Sequence, residues 1–290
     1  MFSRIVLFSG SLVVAAVLVT GCGATTAGVK KESVVAAFYP IAFAVEQIAG
    51  SRVSVRNLTP AGAEPHDLEL TPGDVRAVDG AALVLYLGEG FMPGLETAVK
   101  QRRGRSVDLL SQLRRQEGNG GGPPNDPHAW LDPLRYAAIV RLIGSALGED
   151  PAAGRLVARL EDLNTEFRRG LAHCQRRQIV TSHAAFGYLA ARYGLEQVPL
   201  EGLSPEAEPS ARDLAHLVAL VRASGATTVF FETLISPKLA ETVAREAGVA
   251  TAVLNPLEGL THDEIAAGED YFSVMRSNLA ALEQALGCRT

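Results

Sequence analysis

Asp150-Pro-Ala-Ala-Gly-Arg-Leu-Val-Ala-Arg-Leu-Glu-Asp-Leu-Asn-Thr-Glu-Phe-Arg-Arg-Gly-Leu-Ala-His173 carries an unbroken helical pattern near the middle of a 290-residue chain. Leu156, Leu160, Leu163, Phe167 and Leu171 recur three and four positions apart, which places them on one face of a helix. Asp150 reads as an N-cap with Pro151 at the first helical position. About 23 helical residues span roughly 35 Å, the diameter of a small domain. A helix of that length at the chain's midpoint is expected to be a strut between two halves. The alternative is a helix packed within one half.

On either side the pattern changes. Short apolar runs at 34–38, 53–58, 83–87, 179–181, 198–200, 229–231 and 252–254 read as strands. Helical stretches at 41–49, 134–147, 184–193, 211–223, 237–247 and 271–286 lie between or after them. Strands alternating with helices indicate parallel α/β layering. The expected fold is therefore α/β: two lobes with parallel-rich sheets, at 34–149 and 174–290, joined by a linking helix at 150–173.

The chain is 47% hydrophobic and 20% charged, with a net charge of -5. That is a globular composition with room for two cores. Its mild acidity argues against a nucleic-acid partner, which needs a basic surface.

The N-terminus has a different character. Arg4 precedes an apolar run from Ile5 to Val19, followed by Thr20, Gly21 and Cys22. The shape of residues 1–21 is that of a secretory signal, too short to span a membrane comfortably. Val19-Thr20-Gly21-Cys22 resembles a bacterial lipobox, so Cys22 is the expected lipidation site and 22–33 a short tether. Acyl chains would then hold the protein on the extracytoplasmic side of a membrane. The alternative is an ordinary cleaved signal with an incidental cysteine. Cys174 and Cys288 remain, and in an oxidising compartment they are expected to pair as a disulfide, with two separate buried thiols as the other reading.

Six histidines can be weighed by context. His66 lies in a proline-stiffened loop after the strand at 53–58. His128 lies in Asn125-Asp-Pro-His-Ala-Trp-Leu-Asp-Pro133, just before a helix. His183 joins a strand to a helix. In open α/β sheets ligands bind beyond the carboxyl ends of strands, where His66 and His183 fall and which His128 can reach. Three imidazoles suit zinc, with Asp67 and Asp132 as expected acceptors for the second ring N–H. His173, His216 and His262 read as a helix end, an amphipathic helix and a surface loop, away from any site. The glycine-rich loop at 118–124 suggests a flap beside His128.

Gly62-Ala-Glu-Pro-His-Asp67, Pro127-His-Ala-Trp-Leu-Asp-Pro133, Thr181-Ser-His-Ala-Ala-Phe186, Phe231-Glu-Thr233 and Leu254-Asn-Pro-Leu257 occur in this order. The series resembles the zinc- and manganese-specific substrate-binding proteins of ABC transporters, the TroA-like or ZnuA-like family, over about residues 34 to 288. The resemblance implies two α/β lobes joined by a long helix, with His66, His128 and His183 as metal ligands in the cleft. It implies a monomer that delivers its ion to an ABC permease and ATPase, and no enzymatic activity. The family often supplies a fourth ligand as aspartate where this chain has Asn255, so Asn255, Glu64 or water is the expected fourth donor. Less negative charge favours zinc over manganese, which remains the nearest alternative. The family's histidine-rich loop is absent, since 118–124 is glycine-rich. Glu232 reads more readily as a residue tying down a loop than as a ligand. A rival of another class is a three-histidine zinc hydrolase, whose open fourth position would hold a water; no His-Glu-x-x-His helix or assembled general base supports it.

Overall fold

The computed structural model describes residues 1–2, 31–117, 126–202 and 211–289. The expected lipidation residue Cys22, most of the expected signal and tether, and the loop at 118–124 lie outside these residues. Among the described residues, no helix is long and apolar enough to cross a membrane.

The first half runs β1 (Glu32–Ala36), α1 (Tyr39–Ala49), β2 (Val53–Asn57), α2 (Pro72–Gly80), β3 (Leu83–Tyr86), α3 (Pro93–Gln101), β4 (Arg105–Asp108), α4 (Leu109–Glu117) and α5 (Pro133–Leu147). Next comes the long helix α6 (Asp150–Gly170). The second half runs β5 (Gln178–Thr181), α7 (Gly187–Tyr193), β6 (Glu196–Pro199), α8 (Ala211–Ser224), β7 (Thr228–Phe231), α9 (Lys238–Ala247), β8 (Ala250–Val253), α10 (His262–Ala266) and α11 (Tyr271–Leu286). Each half builds a four-stranded, all-parallel sheet, in the orders β2-β1-β3-β4 and β6-β5-β7-β8. Covered on both faces by helices, the central strands read as apolar runs such as Leu83-Val-Leu-Tyr86. The chain order reverses between β1 and β3, and again between β5 and β7, and such reversals open crevices at the strands' carboxyl ends.

Several elements depart from the sequence reading. β1 begins at Glu32, inside the expected tether. β4 is an edge strand, Arg105-Ser-Val-Asp108, with too little apolar content to stand out. α2 is a short helix set by a Thr71/Asp74 capping box with Pro72 at its start, signals that carry no long apolar period. α6 ends at Gly170, three residues before the expected limit, and its N-cap is Glu149, which makes no side-chain cap bond, while Asp150 opens the first turn.

α6 has 21 residues, about 31 Å at 1.5 Å per residue. It packs on both halves. Leu156, Leu160, Leu163 and Phe167 are buried along it. Phe167 stacks on Tyr193 with centroids 5.2 Å apart, and Arg159 lies over the Phe272 ring at 4.0 Å. Arg276 of α11 makes a two-pronged bridge to Glu166, at 2.7 and 2.9 Å. One hydrophobic core runs continuously from β1 and α1 through α6 to Leu254, Leu257 and Tyr271, while a smaller core lies outside it between β7, α8 and α9. The described residues from 31 onward form one compact unit. Cys174 and Cys288 are joined by a disulfide, which closes β5 to α11 into a covalent loop.

Candidate metal centre

Each site residue follows a strand end or opens a helix. His66 lies in the loop after β2, where its backbone N–H donates to the Glu64 carboxyl group at 3.2 Å. Gly62 N–H donates to Leu260 O at 2.9 Å, tying that loop to the second half. His128 precedes a 3-10 turn, Ala129–Leu131, that leads into α5, whose N-cap Asp132 accepts from Leu134 N–H at 3.0 Å. His183 follows β5, its carbonyl held by Thr181 Oγ1 at 2.7 Å and Gln197 Nε2 at 2.9 Å. Glu232 follows β7, and Glu258 lies in the loop after β8. β5 and β7 are the neighbours at the second sheet's reversal, so His183 and Glu232 meet at that crevice.

The structure brings His66, His128 and His183 together and adds Glu258. One ligand atom from each lies within 4.8 Å of all the others. Glu258 Oε1 is 3.2 Å from His66 Nε2, 3.0 Å from His128 Nε2 and 3.5 Å from His183 Nε2. His128 Nε2 and His183 Nε2 are 3.4 Å apart. A tetrahedral ion with bonds of about 2.0–2.1 Å needs donor-to-donor edges of about 3.4 Å. These four edges cluster around that value. His128, His183 and Glu258 side chains are fully buried, and His66 is 6% exposed. Phe91 sits edge-on to His66 at 4.7 Å and Trp130 lies 5.1 Å from His128, an aromatic wall against water.

Carboxylates stand behind two of the rings. Asp126 Oδ1 is 2.7 Å from His128 Nδ1 and also takes that residue's backbone N–H at 2.9 Å. Glu232 Oε1 is 2.6 Å from His183 Nδ1. Such contacts fix each ring with Nε2 turned inward and raise its basicity. Burial alone would lower the two imidazole pKa values. Hydrogen bonds to Asp126 and Glu258 more than offset this at His128, and those to Glu232 and Glu258 push His183 up to about 10. Burial would raise Glu258, but its bonds to His128, His183 and His66 hold it well below the usual carboxylate range. Near neutral pH the metal-free centre thus holds the Glu258 carboxylate against a protonated His183. A divalent cation would take the protons' place.

Three expectations need correction. Asn255 is not a donor to the centre: its Nδ2 donates to Thr233 Oγ1 and Glu264 Oε1, and its Oδ1 accepts from Leu257 N–H. Glu64 stands outside the four-residue group, and burial together with the Glu258 charge pushes its carboxyl up to about 9, leaving it neutral at pH 7. The ring-orienting acids are Asp126 and Glu232: Asp132 instead pairs with Arg192 at 2.7 Å, and Asp67 is exposed. Glu232 stands outside the four-residue group and holds His183 at the start of the turn after β5. Of the other histidines, His173 follows α6, His216 is exposed on α8 and His262 is exposed at the start of α10. Glu258 is detectable as a carboxylate just past a strand end, but the motif Leu254-Asn-Pro-Leu257 stops one residue short of it.

A sequence profile of the family described as zinc-uptake complex component A, periplasmic (ZnuA), matches residues 34–285. The zinc-binding lipoprotein AdcA of Streptococcus pneumoniae is 36% identical over 278 residues, covering 88% of this chain and 56% of AdcA. The chain thus spans about half the length of AdcA. The high-affinity zinc uptake system protein ZnuA of Bacillus subtilis is 34% identical over 311 residues, covering 96% of this chain and 98% of that protein. The crystal structure of the Zn(II)-bound ZnuA-like domain of Streptococcus pneumoniae AdcA superposes with a TM-score of 0.74 at 36% identity, covering 88% of this chain and 99% of that domain. With a matching profile over most of its length and relatives of this similarity, the chain belongs to the ZnuA family.

Proposed function

We propose that this protein captures zinc(II) outside the cytoplasm and delivers it to an ABC permease and its ATPase. Zinc is the cargo, held by Nε2 of His66, His128 and His183 and by the Glu258 carboxylate. The observation that carries this reading is the set of four buried donor atoms at near-tetrahedral spacing. Three nitrogens and one oxygen are a borderline-soft donor set suited to zinc, whereas manganese favours more oxygen ligands. The names of the relatives, zinc-binding and zinc-uptake proteins, support the same cargo. A hydrolytic water would need the fourth direction, which Glu258 fills, so binding is favoured over hydrolysis.

Lipidation at Cys22 would hold the protein on the extracytoplasmic membrane face. The lipobox-like Val19-Thr-Gly-Cys22 and a relative named as a lipoprotein support that placement. The site is complete within one chain, consistent with a monomer. Release should involve small movements, because the core is shared and Trp130 Nε1 donates to Pro256 O across the halves at 2.7 Å. Titration of zinc into the metal-stripped protein against a competing chelator tests the function. The expected result is one tightly held ion per chain, lost on His66→Ala; no uptake, or unchanged uptake by that variant, would overturn it.

A further inference from the structure

Glu258 reaches the centre from an unusual piece of backbone. Leu257, fully buried, has a φ of 56°, in the left-handed region that a branched side chain rarely enters. That conformation redirects the chain so that Glu258 faces the histidines and Leu257 faces the core. A strained residue persists only where its surroundings over-determine it, and here they can be named. Asn255 Oδ1 accepts from Leu257 N–H at 2.7 Å, closing an Asx turn around Pro256. Asn255 Nδ2 donates to Thr233 Oγ1 at 3.1 Å and to Glu264 Oε1 at 2.9 Å. Its own backbone is clasped by Asn278, which accepts from Asn255 N–H at 2.8 Å and donates to Asn255 O at 2.7 Å. Glu264 is itself fixed by Thr261 N–H at 2.7 Å, as the capping box of α10.

We propose that Asn255 is the positioning residue for the metal-binding carboxylate: its amide sets the turn that aims Glu258, and it works only as an amide. The inference rests on the zinc-binding function proposed above. The amide's two ends have opposite duties. Its oxygen must accept from Leu257 and its nitrogen must donate to Glu264 and Thr233. An aspartate at this position could keep the first contact, but it would set a buried carboxylate against Glu264 with no proton to share. Thus an aspartate here would not add a ligand. It would displace the one present.

A polarity swap tests this. Asn255→Asp and the double variant Asn255→Asp/Glu264→Gln are compared with wild type and Glu258→Gln. In the double variant the new amide at position 264 can donate to the new carboxylate at position 255 and still accept from Thr261. The readouts are zinc affinity by chelator competition, the visible absorption of the cobalt(II)-loaded protein, and melting of the metal-free protein. Asn255→Asp should lose at least about ten-fold in zinc affinity, the scale on which removing a ligand's support acts. Its cobalt spectrum should move toward that of Glu258→Gln. The double variant should recover both the wild-type spectrum and an affinity within about three-fold of wild type, as coupled contacts recover in a mutant cycle. Native affinity and spectrum in Asn255→Asp overturn the inference. So does a double variant that fails to fold, or that melts normally yet binds as poorly as Asn255→Asp. Should Asn255→Asp not fold, the double variant decides alone. Wild-type protein that takes up no zinc overturns the proposed function and this inference together.

Discussion

Replacing Glu258 by Gln keeps the side chain's shape and removes the negative charge at the middle of the centre. In the zinc-loaded protein a divalent ion and the carboxylate centre would be about 3 Å apart, a gross attraction of roughly 11 kcal/mol at an effective dielectric of about 20. In the metal-free protein near neutral pH, the same carboxylate faces His128 Nε2 at 3.0 Å and His183 Nε2 at 3.5 Å, both with raised pKa values. The imidazolium of His183, whose pKa is pushed up to about 10, attracts it by roughly 5 kcal/mol on the same scale. Much of the gross term is thus offset, since zinc enters as protons leave. Near pH 7 what remains is the loss of a strong donor, about 10- to 100-fold in affinity by analogy with lost ligand support, or roughly 1.4–2.7 kcal/mol. Near pH 10 the wild-type His183 gives up its proton, the metal-free offset shrinks and the variant's deficit should widen. The assay is chelator competition with both proteins from pH 6.5 to 10. Equal affinities at pH 10, or a deficit that stays constant across the range, would refute this electrostatic account.

Wild-type zinc affinity should rise with pH up to about 10: His128 and His183 have raised pKa values, so protons compete below them and affinity falls on acidification. Calorimetry in buffers of differing ionisation enthalpy should register proton release at pH 7. Glu232→Gln should weaken zinc binding by about 10- to 100-fold and move the pH dependence to lower pH, because His183 loses the partner that raises it; an unchanged pH profile would contradict its role behind the ring. Replacing both Cys174 and Cys288 by Ser opens a loop of 114 positions, which the chain-entropy model values at about 4.7 kcal/mol. A large drop in denaturation midpoint with little change in zinc affinity is expected, since neither residue touches the centre.

Much of the architecture is visible in the sequence because parallel strands buried on both faces read as bare apolar runs, and because α6 keeps one apolar stripe for five turns. β4 and α2 to α4 are not visible in that way. They are short, and edge placement or capping, not apolar periodicity, defines them. The three histidines stand out because proline-framed loops and strand ends are where an α/β crevice gathers its ligands. Glu258 is hidden by its neighbours. Leu254-Asn-Pro-Leu257 offers an amide at a plausible position, and only the left-handed turn at Leu257 shows that the amide faces away and the next carboxylate faces in. Asp126 and Glu232 are distant from each other in sequence, and their common task of fixing an imidazole emerges only from the packing.

The most direct test is an anomalous-scattering map of crystals of the zinc-loaded protein, with data on both sides of the zinc absorption edge. The account predicts one strong peak about 2.0–2.2 Å from Nε2 of His66, His128 and His183 and from a Glu258 carboxylate oxygen. A peak bonded to Asn255 with Glu258 turned away, or a peak outside this cluster, would contradict it.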